Sequence, residues 1–154
     1  MLFRSVRPLN SGVHSGQVAL PGGKRDEADD SFVATALRET YEEIGVLVAE
    51  KQVIGELTNF YIPPSNFIIQ PVVAWLENTP NFILSEREVV EVLEIPIAHF
   101  AYSEEIKKEK LIKSSYANEV MPYYNLDQHS VWGATAMILS ELRAVWREIF
   151  PQNI

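Results

Sequence analysis

The sequence predicts a mixed α/β protein in which strands before and between two helices form a mixed β-sheet, with the helices packed on its faces. Three observations carry this. Short apolar runs bounded by turn residues recur over the first 95 residues, at 17–20, 52–61, 67–76 and 88–95. A 3.6-residue apolar stripe follows Asp30-Ser31 and stops at Gly45. A second, longer stripe runs from about Gly133 to Phe150. The 154 residues suit a single domain spanning 1–154, and 47% hydrophobic with 22% charged residues is a globular composition.

Taken in order, Met1-Leu2-Phe3-Arg4 is apolar enough for a strand, and residues 8–16 read as loop. The run 17–20 is stopped by Pro21-Gly22-Gly23, a strong turn signal. A polar loop with Asp26, Asp29 and Asp30 follows, and Asp30 or Ser31 can cap the first helix. That helix presents Val33, Ala36, Leu37, Thr40 and Ile44 on one stripe, with Gly45 as its stop. Two strands, 52–61 and 67–76, join through Pro63-Pro64-Ser65-Asn66, and 88–95 is a strand closed by Pro96. Their aromatics Phe60, Tyr61, Phe67 and Trp75 read as core. The Glu/Lys-rich stretch 103–113 reads as a solvated surface segment, and 113–124 as two short strands. Ala134, Met137, Ile138, Leu142, Val145, Trp146 and Ile149 give the last helix a broad apolar face, which suits a homodimer.

Charge and composition exclude several functions. With 13 Lys and Arg against 21 Asp and Glu, the formal charge is −8, so the basic footprint of a nucleic-acid binder is missing. There is no cysteine, which removes disulfides, thiolate metal sites and a cysteine nucleophile. No apolar run approaches the roughly 18 residues of a membrane span, and the N-terminus lacks a signal-peptide pattern. A cytoplasmic protein with no membrane partner is expected.

The most informative segment is Arg38-Glu39-Thr40-Tyr41-Glu42-Glu43. At about 100° per residue its three glutamates fall within roughly 100° of one another, on the face opposite the apolar stripe. Like charges so close repel, and a cation seated on them would relieve the repulsion. Carboxylate oxygens are hard ligands that suit Mg²⁺ or Mn²⁺, above all where substrate phosphates complete the shell. Arg38 can pair with Glu42 at i+4 or orient a neighbouring carboxylate. Taken alone, such a string also suits an ordinary solvated helix face.

Gly22-Gly23, a loop acid, Arg38-Glu39, Glu42-Glu43 and Gly45-Val46 together resemble the Nudix box, here about 23–46. The resemblance implies a metal-dependent pyrophosphohydrolase with an α/β/α sandwich. Glu39, Glu42 and Glu43 would hold Mg²⁺ or Mn²⁺, Arg38 would orient them, and Glu43 or Glu42 would be the general base. The sequence departs from the box in three places. Six residues separate Gly23 from the acid, that acid is Asp30 in place of Glu, and Thr40 stands where an aliphatic residue is usual. Helix capping is the role expected of Asp30. Before the box, His14-Ser15-Gly16-Gln17-Val18-Ala19-Leu20-Pro21-Gly22-Gly23 is similar to the motif that marks the coenzyme A pyrophosphatase branch. Gln70-Pro71-Val72-Val73, Glu94-Ile95-Pro96-Ile97 and the stretch 130–139 agree with that branch as well.

The implied substrate is a small-molecule diphosphate, coenzyme A or a derivative, contacted by His14, Gly22, Gly23, Lys24 and Arg25. Glycine lets the backbone approach phosphate oxygens, and the two cations meet their charge. The branch also implies a segment before Leu2, so an N-terminal strand is expected to be missing. Two other readings stand beside this one: a Nudix pyrophosphatase acting on ADP-ribose or NADH, and a catalytically silent Nudix-fold binding module.

Overall fold

The computed structural model describes residues 2–6, 17–63, 65–104, 107–113 and 118–152. Backbone contacts divide the chain into two compact units, Phe3–Leu93 and Glu94–Ile154 with Met1–Leu2. The mixed α/β class expected from the sequence is the one observed, and every strand pairing with a described register is antiparallel.

In the first unit β1 (Leu2–Val6) pairs with β2 (Val18–Ala19), Ser5 opposite Ala19 and Val6 opposite Val18. Helix α1 (Phe32–Ile44) follows the polar loop. Ser31, not Asp30, is its cap: the Ser31 hydroxyl accepts from the Ala34 N–H at 3.0 Å, so the capping role expected of Asp30 is corrected. At the other end Gly45 takes φ 70° and donates to the Tyr41 carbonyl. The chain then runs Val46-Leu47-Val48, burying the valines and exposing Leu47. Ile44, Val46, Val48 and Val89 form the unit's core, with Leu37, Leu76, Phe82, Leu84 and Val92 packed against it.

Where two strands were expected over 52–76, there are four: β3 (Val53–Glu56), β4 (Phe60–Ile62), β5 (Phe67–Ile69) and β6 (Val72–Ala74). They make one interrupted hairpin, β4 against β5 and β3 against β6. The interruption falls at Pro71. Its carbonyl accepts from the Leu57 N–H at 3.0 Å, but proline has no N–H to return. The Gln70 side-chain amide donates to the Leu57 carbonyl instead, at 2.9 Å. Tyr61, Phe67 and Trp75 are half exposed, which corrects their reading as core: among the described residues each of these ladders has only two strands. Trp75 borders a cleft of about 620 Å³ shared with Leu47, Lys51, Ile54 and Asn78. Strand β7 (Glu91–Ile95) joins the sheet of β1 and β2, in the order β2-β1-β7.

The second unit opens with α2 (Ile97–Tyr102), a single short helix that no sequence period announces. The 107–113 stretch is strand β8 (Lys107–Lys113), not merely a surface segment. The two short strands expected over 113–124 are one nine-residue strand, β9 (Asn118–Leu126), paired with β8 and with β10 (His129–Val131). Asp127 and Gln128 turn β9 into β10 with φ 47° and 68°, the two left-handed residues of a type I′ hairpin. Helix α3 (Gly133–Ile149) matches its expected bounds to one residue. Its buried line is Leu139 and Arg143, however, while Met137, Val145 and Ile149 of the expected stripe are exposed. Ile95, Phe100, Ala101, Tyr124, Leu126, Val131 and Leu139 make this unit's core, with Phe100 and Tyr124 edge to face at 5.4 Å. Arg143 fastens α2 to α3 by donating to the Ala101 and Ser103 carbonyls, both at 2.8 Å.

Candidate active site

Capped at Ser31 and stopped at Gly45, α1 carries the acidic string within its last two turns, and the loop before it supplies the partners. Glu43 is buried, not on an open face as its helical phase predicted, because the Pro21-Gly22-Gly23 turn folds over the helix. The Gly22 N–H donates to Glu43 Oε1 at 3.3 Å. Glu39 reaches the same turn. A Cβ placed on Gly23 would stand 2.3 Å from Glu39 Oε1 and 2.7 Å from Oε2, so the carboxylate occupies space that only glycine leaves open. Glu42 lies outside this pair, about half exposed.

Arg38 is the hub that allows these acids to coexist. Its Nε and Nη2 donate to the two oxygens of Asp29 at 3.1 and 3.0 Å, a bidentate pairing. Nη1 donates to Glu39 Oε1 and to Glu42 Oε2, both at 2.9 Å, and Nη2 also reaches the Lys24 carbonyl at 3.3 Å. The i+4 pairing with Glu42 is thus present, together with the orienting contact to Glu39. Asp29 is 6% exposed and also accepts from Thr35 Oγ1 and the Asp26 N–H, each at 2.9 Å. Its hydrogen bonds from Arg38 hold its carboxyl well below the ordinary 3.8, and Asp29 in turn raises the Arg38 guanidinium.

Asp29 is the residue the sequence reading missed. Asp30, given the loop acid's place in the sequence, is exposed, and its neighbour Asp29 makes the contact to Arg38. The signal was present: five residues separate Gly23 from Asp29, the usual box interval, so the extra residue falls after the acid. Of the expected substrate contacts, Gly22 and Gly23 form the turn beside Glu43 and Glu39, and Lys24 is exposed. Arg25 is exposed as well but donates from Nε and Nη2 to the Asp29 carbonyl at 3.0 and 2.8 Å, with its guanidinium 5.8 Å from the centre of the Phe32 ring. His14 lies outside the described residues.

The donor set fits a hard divalent cation. Every side-chain donor at the turn is a carboxylate oxygen, and Mg²⁺ is ordinarily held by one or two carboxylates, with water and phosphate completing its shell. Glu39 and Glu43, both at the Gly22-Gly23 turn, are the two carboxylates that could serve as such a pair. Among the described residues no group of three or more acidic or imidazole side chains is placed to hold a metal ion, and the Glu42 carboxylate meets Arg38 Nη1.

A loop and helix of this construction define the class of protein. Residues 2–114 match the NUDIX domain, and the chain belongs to the Nudix hydrolase family. Proteins of this family act on small-molecule diphosphates and generally use divalent ions such as Mg²⁺ or Mn²⁺. The chain is 35% identical over 130 residues to the human mitochondrial coenzyme A diphosphatase NUDT8, covering 83% of this chain and 55% of that protein. It is 36% identical over 146 residues to the uncharacterized Nudix hydrolase NudL of Pectobacterium atrosepticum, covering 92% and 72%. Thus the matched region spans about half the length of the human relative. Among solved structures, a MutT/nudix family protein from Enterococcus faecalis matches 93% of this chain and 54% of its own, with TM-score 0.58 and 19% identity. A MutT protein from Methanosarcina mazei matches 66% and 71%, with TM-score 0.50 and 24% identity. These two likenesses concern the fold. No described helix is long and apolar enough to cross a membrane.

Proposed function

We propose that the chain, working as one Nudix domain over 1–154, hydrolyses the diphosphate linkage of coenzyme A or a derivative. The products are 4′-phosphopantetheine and adenosine 3′,5′-bisphosphate. The observation that carries the hydrolytic part is the meeting of Glu39 and Glu43 at the Gly22-Gly23 turn. The His14–Gly23 string and the name of the human relative favour coenzyme A. Glu39 and Glu43 would hold the Mg²⁺ or Mn²⁺ ion, with Glu42 at its margin. When bound, the ion neutralises diphosphate charge and lowers the pKa of a water. Arg38, fixed by Asp29, sets the direction of the Glu39 and Glu42 carboxylates. Glu43 or Glu42 takes the proton of the attacking water as its oxygen bonds to one phosphorus, and the bridging P–O bond breaks to release the other phosphate.

The test is a panel of coenzyme A, its oxidised and acylated forms, ADP-ribose and NADH, each with Mg²⁺ and with Mn²⁺, products identified by mass. A coenzyme A form should lead, and Glu43→Gln should cut its turnover by at least about a hundredfold, the scale of a lost ligand or base. Leading turnover of ADP-ribose or NADH would reassign the substrate. No cleavage with either ion would leave a binding module.

A further inference from the structure

The loop after the glycine turn carries two adjacent cations, both exposed, and they differ in what their side chains are bonded to. Arg25 is tied to the loop's own backbone. Two of its nitrogens are committed to the Asp29 carbonyl, the residue on which Arg38 is anchored, and its guanidinium lies against Phe32 at the start of α1. Asp29 also receives the Asp26 N–H, and the Asp26 carboxylate receives the Ala28 N–H, so 25–29 closes into a ring of internal bonds. Lys24 differs. Its backbone is held, because its carbonyl accepts from Arg38 Nη2, while its side chain is exposed and, among the described residues, has no ion pair or hydrogen bond. It directly follows Gly23, against which the Glu39 carboxylate rests.

We infer that Lys24 is the loop's substrate cation, its ammonium pairing with a phosphate oxygen of the diphosphate, and that Arg25 is a brace with no part in recognition. The inference rests on the diphosphate reading above. An ammonium on a flexible stem from a fixed backbone can follow a phosphate between bound and reacting positions as a point charge. A guanidinium already bonded through two nitrogens would have to break the loop to do the same.

The experiment compares Lys24→Met, Lys24→Arg, Arg25→Met and the wild type on the best substrate of the panel. Lys24→Met should raise KM about three- to tenfold, the range of a partly exposed charged contact, with kcat largely kept and an unchanged Tm. Lys24→Arg should restore KM. Arg25→Met should instead lower Tm by about 2–6 °C as the loop loses its bonds. An unchanged KM for Lys24→Met, or an equal rise for Arg25→Met at unchanged Tm, overturns the inference while hydrolysis stands. If the wild type cleaves no diphosphate, the hydrolytic reading fails by itself. Calorimetry with inorganic pyrophosphate and Mg²⁺ then decides: weaker binding by Lys24→Met supports the cation's role, and equal affinity refutes it.

Discussion

At the scale of single residues, the site is a problem of charge compensation: Asp29, Glu39 and Glu42 share one guanidinium. The consequence for Asp29 is a pH dependence of stability. Its folded pKa lies below the ordinary 3.8, so the unfolded chain takes up the proton first as the solution is acidified. The stabilisation is therefore complete above the unfolded value and is lost as pH falls towards the folded one. The Tm gap between the wild type and Asp29→Asn should be constant from about pH 5 to 7 and shrink below about pH 4. A gap still undiminished at about pH 3 would mean that Asp29 stabilises by packing alone. Gly23 makes a second residue-level case. Its backbone is not left-handed, and the atoms a Cβ would strike are the end of the flexible Glu39 side chain. Gly23→Ala should hence leave Tm nearly unchanged yet displace Glu39. Turnover should fall about tenfold to a hundredfold, since a shift of about 1 Å in a positioned group has effects of that size. Wild-type turnover in Gly23→Ala would show that Glu39 needs no fixed place.

At the scale of elements, α1 is held at its C-terminus by a segment far along the chain. The Ile83 N–H donates to the Ile44 carbonyl and the Ser85 N–H to the Glu43 carbonyl, both at 2.9 Å, so carbonyls the helix leaves open are satisfied by residues 83–85. This approach requires Gly45. A Cβ there would meet Ile83 Cβ at 2.6 Å and its carbonyl oxygen at 2.8 Å, in a backbone already at φ 70°. Gly45→Ala adds about 1–2 kcal/mol of left-handed strain to that clash, and a total of about 2–4 kcal/mol lowers Tm by about 5–15 °C. Gly45→Asn tolerates the φ better but keeps the clash, so it should recover only part of the loss. Full recovery would assign the whole cost to backbone strain. The same scale shows what was legible. Helix α1 announced itself because Ser31, the apolar stripe and Gly45 agree, and α3 because its stripe is long. Helix α2 spans fewer than two turns, too short for a period, and the β9–β10 turn uses Asp127-Gln128 where the familiar signal is Asn-Gly or Asp-Gly.

For the whole molecule, local patterns carried the class and the acidic string, because both depend on neighbours in sequence. They did not carry burial. Helical phase puts Glu43 opposite the apolar stripe of α1 and Met137 and Ile149 on that of α3, yet Glu43 is buried and the other two are exposed, since phase says which residues share a face and not what covers it. Nor did they reveal that Phe3–Leu93 and the remainder each have a core of their own. The second core yields the last prediction. Phe100 is fully buried, stacks edge to face on Tyr124 and sits on α2, whose last carbonyls Arg143 holds. Removing its ring loses transfer free energy and leaves a cavity beside groups that Arg143 already fixes, so the walls have little freedom to collapse. Phe100→Ala should cost about 3–5 kcal/mol, or about 6–20 °C in Tm. Phe100→Leu keeps much of the volume and should cost less than about 1.5 kcal/mol. Equal losses for the two variants, measured by calorimetry, would locate the effect in the ring contact with Tyr124, and no loss in either would mean that this core does not limit the stability of the fold.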